Sequence, residues 1–139
     1  RVPWSREGGY AGAAALLDQD PTLDAVFASN DQQAIGLLRA LHERSIRIPE
    51  DIAVVSFDGT KESEFAWPSL TVARQPLPEL AAASLALLDK PAPARGIHRQ
   101  FQTELVRRAS CGCVATDIEP TRVDIVTRDP NPTERPPHD

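Results

Sequence analysis

Residues 25–59, AVFASNDQQAIGLLRALHERSIRIPEDIAVVSFDG, set most of what this chain can fold into. Two short apolar runs, 24–29 and 53–57, flank a segment in which Ile35, Leu38 and Leu41 recur on one stripe while Arg39, Glu43 and Arg44 fall outside it. A strand, a helix and a strand joined by connections of a few residues make a parallel pair with a helical crossover. The runs are apolar at consecutive positions, as strands covered on both faces are. Upstream, residues 5–19 read as a helix with Ser5 as N-cap, Glu7 in the first turn, and Tyr10, Ala13, Leu16 and Leu17 at helical spacing before Pro21 ends it. The expected class is therefore α/β, a parallel sheet with helices on both faces.

The remaining segments extend this order. Residues 58–70 read as a loop with one helical turn at 61–66, and 71–75 as a short strand. Pro76 and Pro78 suit the start of a helix over 77–90 that carries Leu80, Leu85, Leu87 and Leu88. A break at 91–96 leads to a last strand, 99–108, with Phe101, Thr103, Leu105 and Arg107 on one face. Beyond Cys113, five prolines and many charges predict disorder over 114–139, with 122–126 as a candidate edge strand.

Composition narrows the function. A length of 139 residues fits about one domain. No apolar window is long enough to span a membrane. A net charge of −5 argues against a nucleic-acid surface on these residues. The chain starts with Arg1 and contains no methionine, so it is read as part of a longer or processed protein. The catalytic motifs of nucleophile-elbow hydrolases, zinc proteases and phosphate-binding loops are all missing, so neither an enzyme nor a cofactor is expected. Gly8-Gly9 and Gly12 do not follow a strand and fail as a dinucleotide fingerprint. Cys111-Gly112-Cys113 reads as two reduced thiols near a strand end, with a redox or metal role as the alternative.

The candidate chemistry lies where the strands end. Asn30-Asp31 closes the first strand and opens the helix. In open α/β sheets, ligands bind beyond the carboxyl ends of the strands. These two residues can cap the helix, meet a ligand, or divide the tasks. Phe57-Asp58 closes the second strand and is followed by Gly59, which also makes a good turn. Trp4 is either a core residue or a stacking platform for a sugar or base. Gln75 offers donors and an acceptor at the end of the third strand.

Taken in order, "DAVFASNDQQAIGLLRALHERSIRIPEDIAVVSFDGT", "PSLTVARQPLPELAAASLALL" and "TELVRRASCGC" resemble the effector-binding domain of LacI/GalR transcriptional regulators, from about residue 4 to 113. The resemblance implies a two-lobed periplasmic-binding-protein type I-like fold, of which this chain is the second lobe. It implies that helix 77–90 packs on the first lobe, that residues 114–139 are an extension, and that the protein is cytoplasmic. Asp31 matches an acid that accepts hydrogen bonds from ligand hydroxyls, Trp4 an aromatic that stacks on the ligand, and Gln75 a residue beside the cleft, with Phe57 and Asp58 at its mouth. Residues Phe65, Ala66, Trp67 and Pro68 fall where a second subunit docks. The implied partners are a small-molecule effector, most simply a sugar, a second copy in a homodimer, and DNA only through an N-terminal headpiece absent from this chain. A transport receptor for sugars or a sensory domain fused to a signalling enzyme are the alternatives that share this architecture.

Overall fold

The computed structural model describes residues 2–88 and 98–113. Element order follows the sequence pattern: α1 (Arg6–Gln19), β1 (Ala25–Ala28), α2 (Asp31–Glu43), β2 (Ala53–Asp58), α3 (Lys61–Phe65), β3 (Thr71–Arg74), α4 (Leu77–Leu88), β4 (Glu104–Val106) and a 3-10 turn at Ala109–Cys111. The four strands lie side by side in sequence order. β1, β2 and β3 are parallel, and β4 returns antiparallel to β3. The last strand is shorter than the expected 99–108. The expected end of helix 77–90, the break at 91–96 and the extension 114–139 with its candidate strand 122–126 lie outside the described residues. None of the described helices is long and apolar enough to cross a membrane.

Register assigns the two faces of the sheet. Val26, Ala28, Val54, Ser56, Val72 and Val106 share one face. There Ala28, Val54 and Val72 join Leu37, Leu38, Leu41, Ile52 and Leu70 in the core. The opposite face carries Phe27, Val55, Phe57, Ala73 and Leu105. Phe27 is 64% exposed there, so β1 alternates where consecutive apolar residues predicted cover on both sides.

α2 is sandwiched between the sheet and α1. Its buried residues, Ala34, Gly36, Leu37, Leu38, Ala40 and Leu41, therefore occupy more than one stripe, and Ile35 is only partly buried. α1 buries Gly8, Gly9 and Ala13, whereas Tyr10 and Leu16 stay exposed. The reason is the closeness of the crossing. A Cβ on Gly9 would lie 2.0 Å from the Gln33 carbonyl oxygen, and one on Gly36 would lie 1.9 Å from the Arg6 carbonyl oxygen. Gly9, one of the glycines that fail as a dinucleotide fingerprint, and Gly36 let the two helix backbones touch.

The 3-10 turn ties the segment after β4 back to the sheet. The Ser110 hydroxyl donates to the Val54 carbonyl at 2.6 Å and accepts from the Thr71 amide at 2.9 Å. The Arg108 guanidinium reaches the Leu70 carbonyl at 2.7 Å and the Ser63 hydroxyl at 3.2 Å. Among the described residues, no buried polar side-chain atom lacks a partner.

The turn before β2 is closed by an ion pair. The Asp51 carboxylate accepts from the Arg47 amide at 2.8 Å and from Arg47 Nε at 2.9 Å. The hydrogen bonds from the Arg47 side chain and then its amide lower the Asp51 carboxyl from 3.8 to about 2. A depressed folded-state value means the pair stabilises fully above the unfolded carboxyl value near pH 4 and stops doing so as pH falls through about 2. Carbon-detected NMR should find the Asp51 carboxyl midpoint near 2. A midpoint near 4 would show the turn open in solution.

Candidate ligand site at the carboxyl ends of the parallel strands

Three strand ends converge on the loops that hold the candidate residues. At the end of β1, Asn30 caps α2, its side-chain oxygen accepting from the Gln33 amide at 2.7 Å. Asp31 follows, and it has no exposed surface. Its carboxylate accepts from the Ser56 hydroxyl at 2.6 Å, the Thr60 amide at 2.6 Å and the Thr60 hydroxyl at 2.7 Å. The acid expected to meet ligand hydroxyls is instead turned into the protein, where it clamps the β2–α3 loop. The physical reason is local. Ser56 sits on the buried face of β2 and needs an acceptor, and Asp31 is the acid at the neighbouring strand end.

The clamp fixes the residues around it. Asp58 has a φ of +117°, and Gly59 follows at +74°. A Cβ on Gly59 would stand 2.6 Å from Arg74 Cγ, so glycine is needed there for both conformation and space. Asp58 is a non-glycine residue held in a costly backbone region, which only a well-determined surrounding sustains. Two bonds from β3's end hold it: the Gln75 amide donates to the Asp58 carbonyl at 3.0 Å, and Gln75 Nε2 donates to Asp58 Oδ1 at 2.6 Å. Both Asp58 and Gln75 are half-buried, as is Phe57. One carboxylate edge, with a neighbouring amide, is thus available at the sheet's carboxyl end.

Trp4 precedes α1 and is 75% exposed. It lines a cavity of about 390 Å³ with Phe27 and Ser29 from β1's end and Gln33 from α2. Of the expected docking residues, Phe65 is 81% and Trp67 92% exposed; Ala66 packs on the core and Pro68 is half-buried. Sequence reasoning missed Ser56 and Thr60. A serine among the apolar residues of AVVSF was the available signal, because on a buried face it must find a partner.

The profile of the family described as Periplasmic binding protein-like domain matches residues 1–111. The chain belongs to that family. Within it, the domain is of the LacI/GalR regulator type. It is 35% identical over 117 residues to the HTH-type transcriptional repressor MelR of Bacillus subtilis, covering 83% of this chain and 34% of the relative. It is 45% identical over 76 residues to the ribose operon repressor of Halalkalibacterium halodurans, covering 55% and 23%. Among solved structures, the LacI family regulator from Arthrobacter sp. FB24 in complex with lactose superposes with a TM-score of 0.71 at 32% identity, covering 79% of this chain and 43% of that one. The LacI family regulator from Enterococcus faecium with bound ribose gives 0.69 at 32% identity, covering 79% and 41%. This LacI/GalR-type domain spans about a third of the length of the curated relatives it matches.

Proposed function

We propose that this chain is the second-lobe part, residues 1–113, of a sugar-sensing domain in a cytoplasmic, non-enzymatic LacI/GalR-type transcriptional regulator. The half-exposed Asp58–Gln75 pair at the carboxyl ends of adjacent parallel strands carries the reading. Sugar hydroxyls donate to a carboxylate, and Asp58 keeps one edge for them. Gln75 holds that carboxylate and adds its own amide oxygen. Trp4 and Phe57 supply apolar surface for the sugar's C–H face. Asp31 serves the site through Thr60 and Ser56, which position the loop that carries Asp58. The homologues bound to lactose and ribose support a sugar over other small molecules.

In the whole protein, α4 packs on a first lobe, since none of its described residues is buried here. Exposed Phe65 and Trp67, beside Ala66 and Pro68, form the contact with a second copy in a homodimer. DNA is met by a separate headpiece, in keeping with this chain's charge of −5. The effector acts by binding one lobe arrangement more tightly than the other, since equal affinity would shift nothing.

The test is a thermal-shift screen of the full-length protein against mono- and disaccharides, nucleosides and purines, followed by calorimetry on the best compound. A sugar should raise the melting temperature. Asp58→Asn keeps the shape, tolerates the backbone and removes the charge, so it should weaken that sugar about tenfold. An unchanged dissociation constant would remove Asp58 from the site. Stabilisation by purines alone would overturn the sugar class.

A further inference from the structure

The mechanism leaves Cys111 and Cys113 unused. Both are free thiols, Cys111 half-buried and Cys113 exposed. They are brought together by the 3-10 turn at Ala109–Cys111 and the Gly112 that follows it. Gly112 between them has a φ of +68°, which folds the backbone back on itself. As a result the Cys113 amide donates to Cys111 Sγ at 3.3 Å, and Cys113 Sγ faces the Cys111 carbonyl at 3.9 Å. The turn is anchored against the sheet by Ser110, which bridges Val54 and Thr71, so the pair is held at a fixed place.

We propose that Cys111 and Cys113 form a modification site, a dithiol that a small disulfide of the glutathione class converts to an intrachain disulfide. Cys111 is the nucleophile and Cys113 the resolving thiol. Burial pushes the Cys111 thiol up, but hydrogen bonds from the Cys113 thiol, Thr71 and the local amides outweigh it and lower the net value. The Cys113 thiol is raised, first by its hydrogen bond with Cys111. The groups facing the pair are these two thiols, the Thr71 hydroxyl, the Arg108 carbonyl, which accepts from the Cys111 thiol at 3.6 Å, and, more distantly, the Arg107 guanidinium.

The chemistry balances as two exchanges. The Cys111 thiolate attacks one sulfur of the small disulfide, forming a mixed disulfide and expelling one thiolate. The Cys113 thiolate then attacks the Cys111 sulfur, closing the protein disulfide and expelling the second thiolate. Two electrons pass from the protein sulfurs to the small disulfide, and the two protons lost by the cysteines end on the two released thiols. The reading is independent of what the sugar site binds.

The test uses the full chain, equilibrated with graded ratios of glutathione to glutathione disulfide, quenched in acid, alkylated and weighed intact. A monomeric species lighter by two hydrogens is expected as the ratio turns oxidising. Cys113→Ser should accumulate a one-glutathione adduct at Cys111. It should form severalfold faster at neutral pH than the adduct at Cys113 in Cys111→Ser, and unfolding in urea should abolish that difference. Full alkylation of both thiols at every ratio, cross-linking between copies instead of ring closure, or equal adduct rates in the two folded variants would each overturn the proposal.

Discussion

Gly36→Ala is expected to destabilise the fold by about 3 kcal/mol, the upper range for forcing atoms into a packed interior. Two effects oppose each other. Alanine is a better helix former than glycine by about 1 kcal/mol in a helix interior. Against that, the new Cβ would sit 1.9 Å from the Arg6 carbonyl oxygen and 2.7 Å from the Tyr10 amide nitrogen. These are backbone atoms and cannot swing aside, so α1 must move off α2. Gly12→Ala provides the contrast. It lies in the facing helix, α1, but its Cβ would meet only Val2 methyl groups at 3.5 and 3.6 Å, which is ordinary contact. There propensity wins, and a gain of up to about 1 kcal/mol is expected. Urea denaturation of the two variants decides the matter. A loss for Gly36→Ala beside a gain for Gly12→Ala would confirm a backbone crossing, and a neutral Gly36→Ala would mean that the helices stand apart in solution.

Asp31→Ala is expected to cost about 4 kcal/mol, near the top of what single substitutions do. The loss is not that of one bond. The carboxylate is the acceptor for the Ser56 hydroxyl and for both donors of Thr60, so its removal leaves the fully buried Ser56 hydroxyl facing a void and frees the β2–α3 loop at Thr60. Ser56→Ala removes a single donor and leaves the carboxylate two others, so about 1 kcal/mol is expected. Denaturant melts of both variants, with ligand titration of whatever remains folded, separate the roles. An Asp31→Ala protein with native stability and no ligand response would make Asp31 a ligand contact after all. A destabilised one whose residual folded fraction still binds would make it the clamp described above.

Much of this architecture was legible in the sequence, and the reasons are local. The strand–helix–strand period of residues 24–57 could be read directly because a parallel crossover imposes two different periodicities in a row. Asn30 could be read as a cap because its type and position say so. The parts that could not be read depend on which atoms meet across the fold. Asp31 and Asp58 are both acids at strand ends, and nothing in the one-dimensional pattern tells which is buried. Burial is decided by Ser56 and Thr60, which lie 25 and 29 residues away. The α1 face was legible only in part, since Ala13 and Leu17 pack on the core while Tyr10 and Leu16 do not. Its large side chains suggested the packing stripe, yet two glycines on different helices allow so close an approach that small residues fill the contact.

α4 stands apart from the network just described: 12 residues long, with no buried side chain and with Leu77, Leu85 and Leu88 open to solvent. An isolated helix of that length is marginal in water. Its amides should therefore exchange with deuterium nearly as fast as those of a free peptide, while those of α2 wait for global opening. The helix can then be read as an occupancy gauge. Slowed exchange confined to residues 77–88 would report, amide by amide, when another surface has come to rest on it.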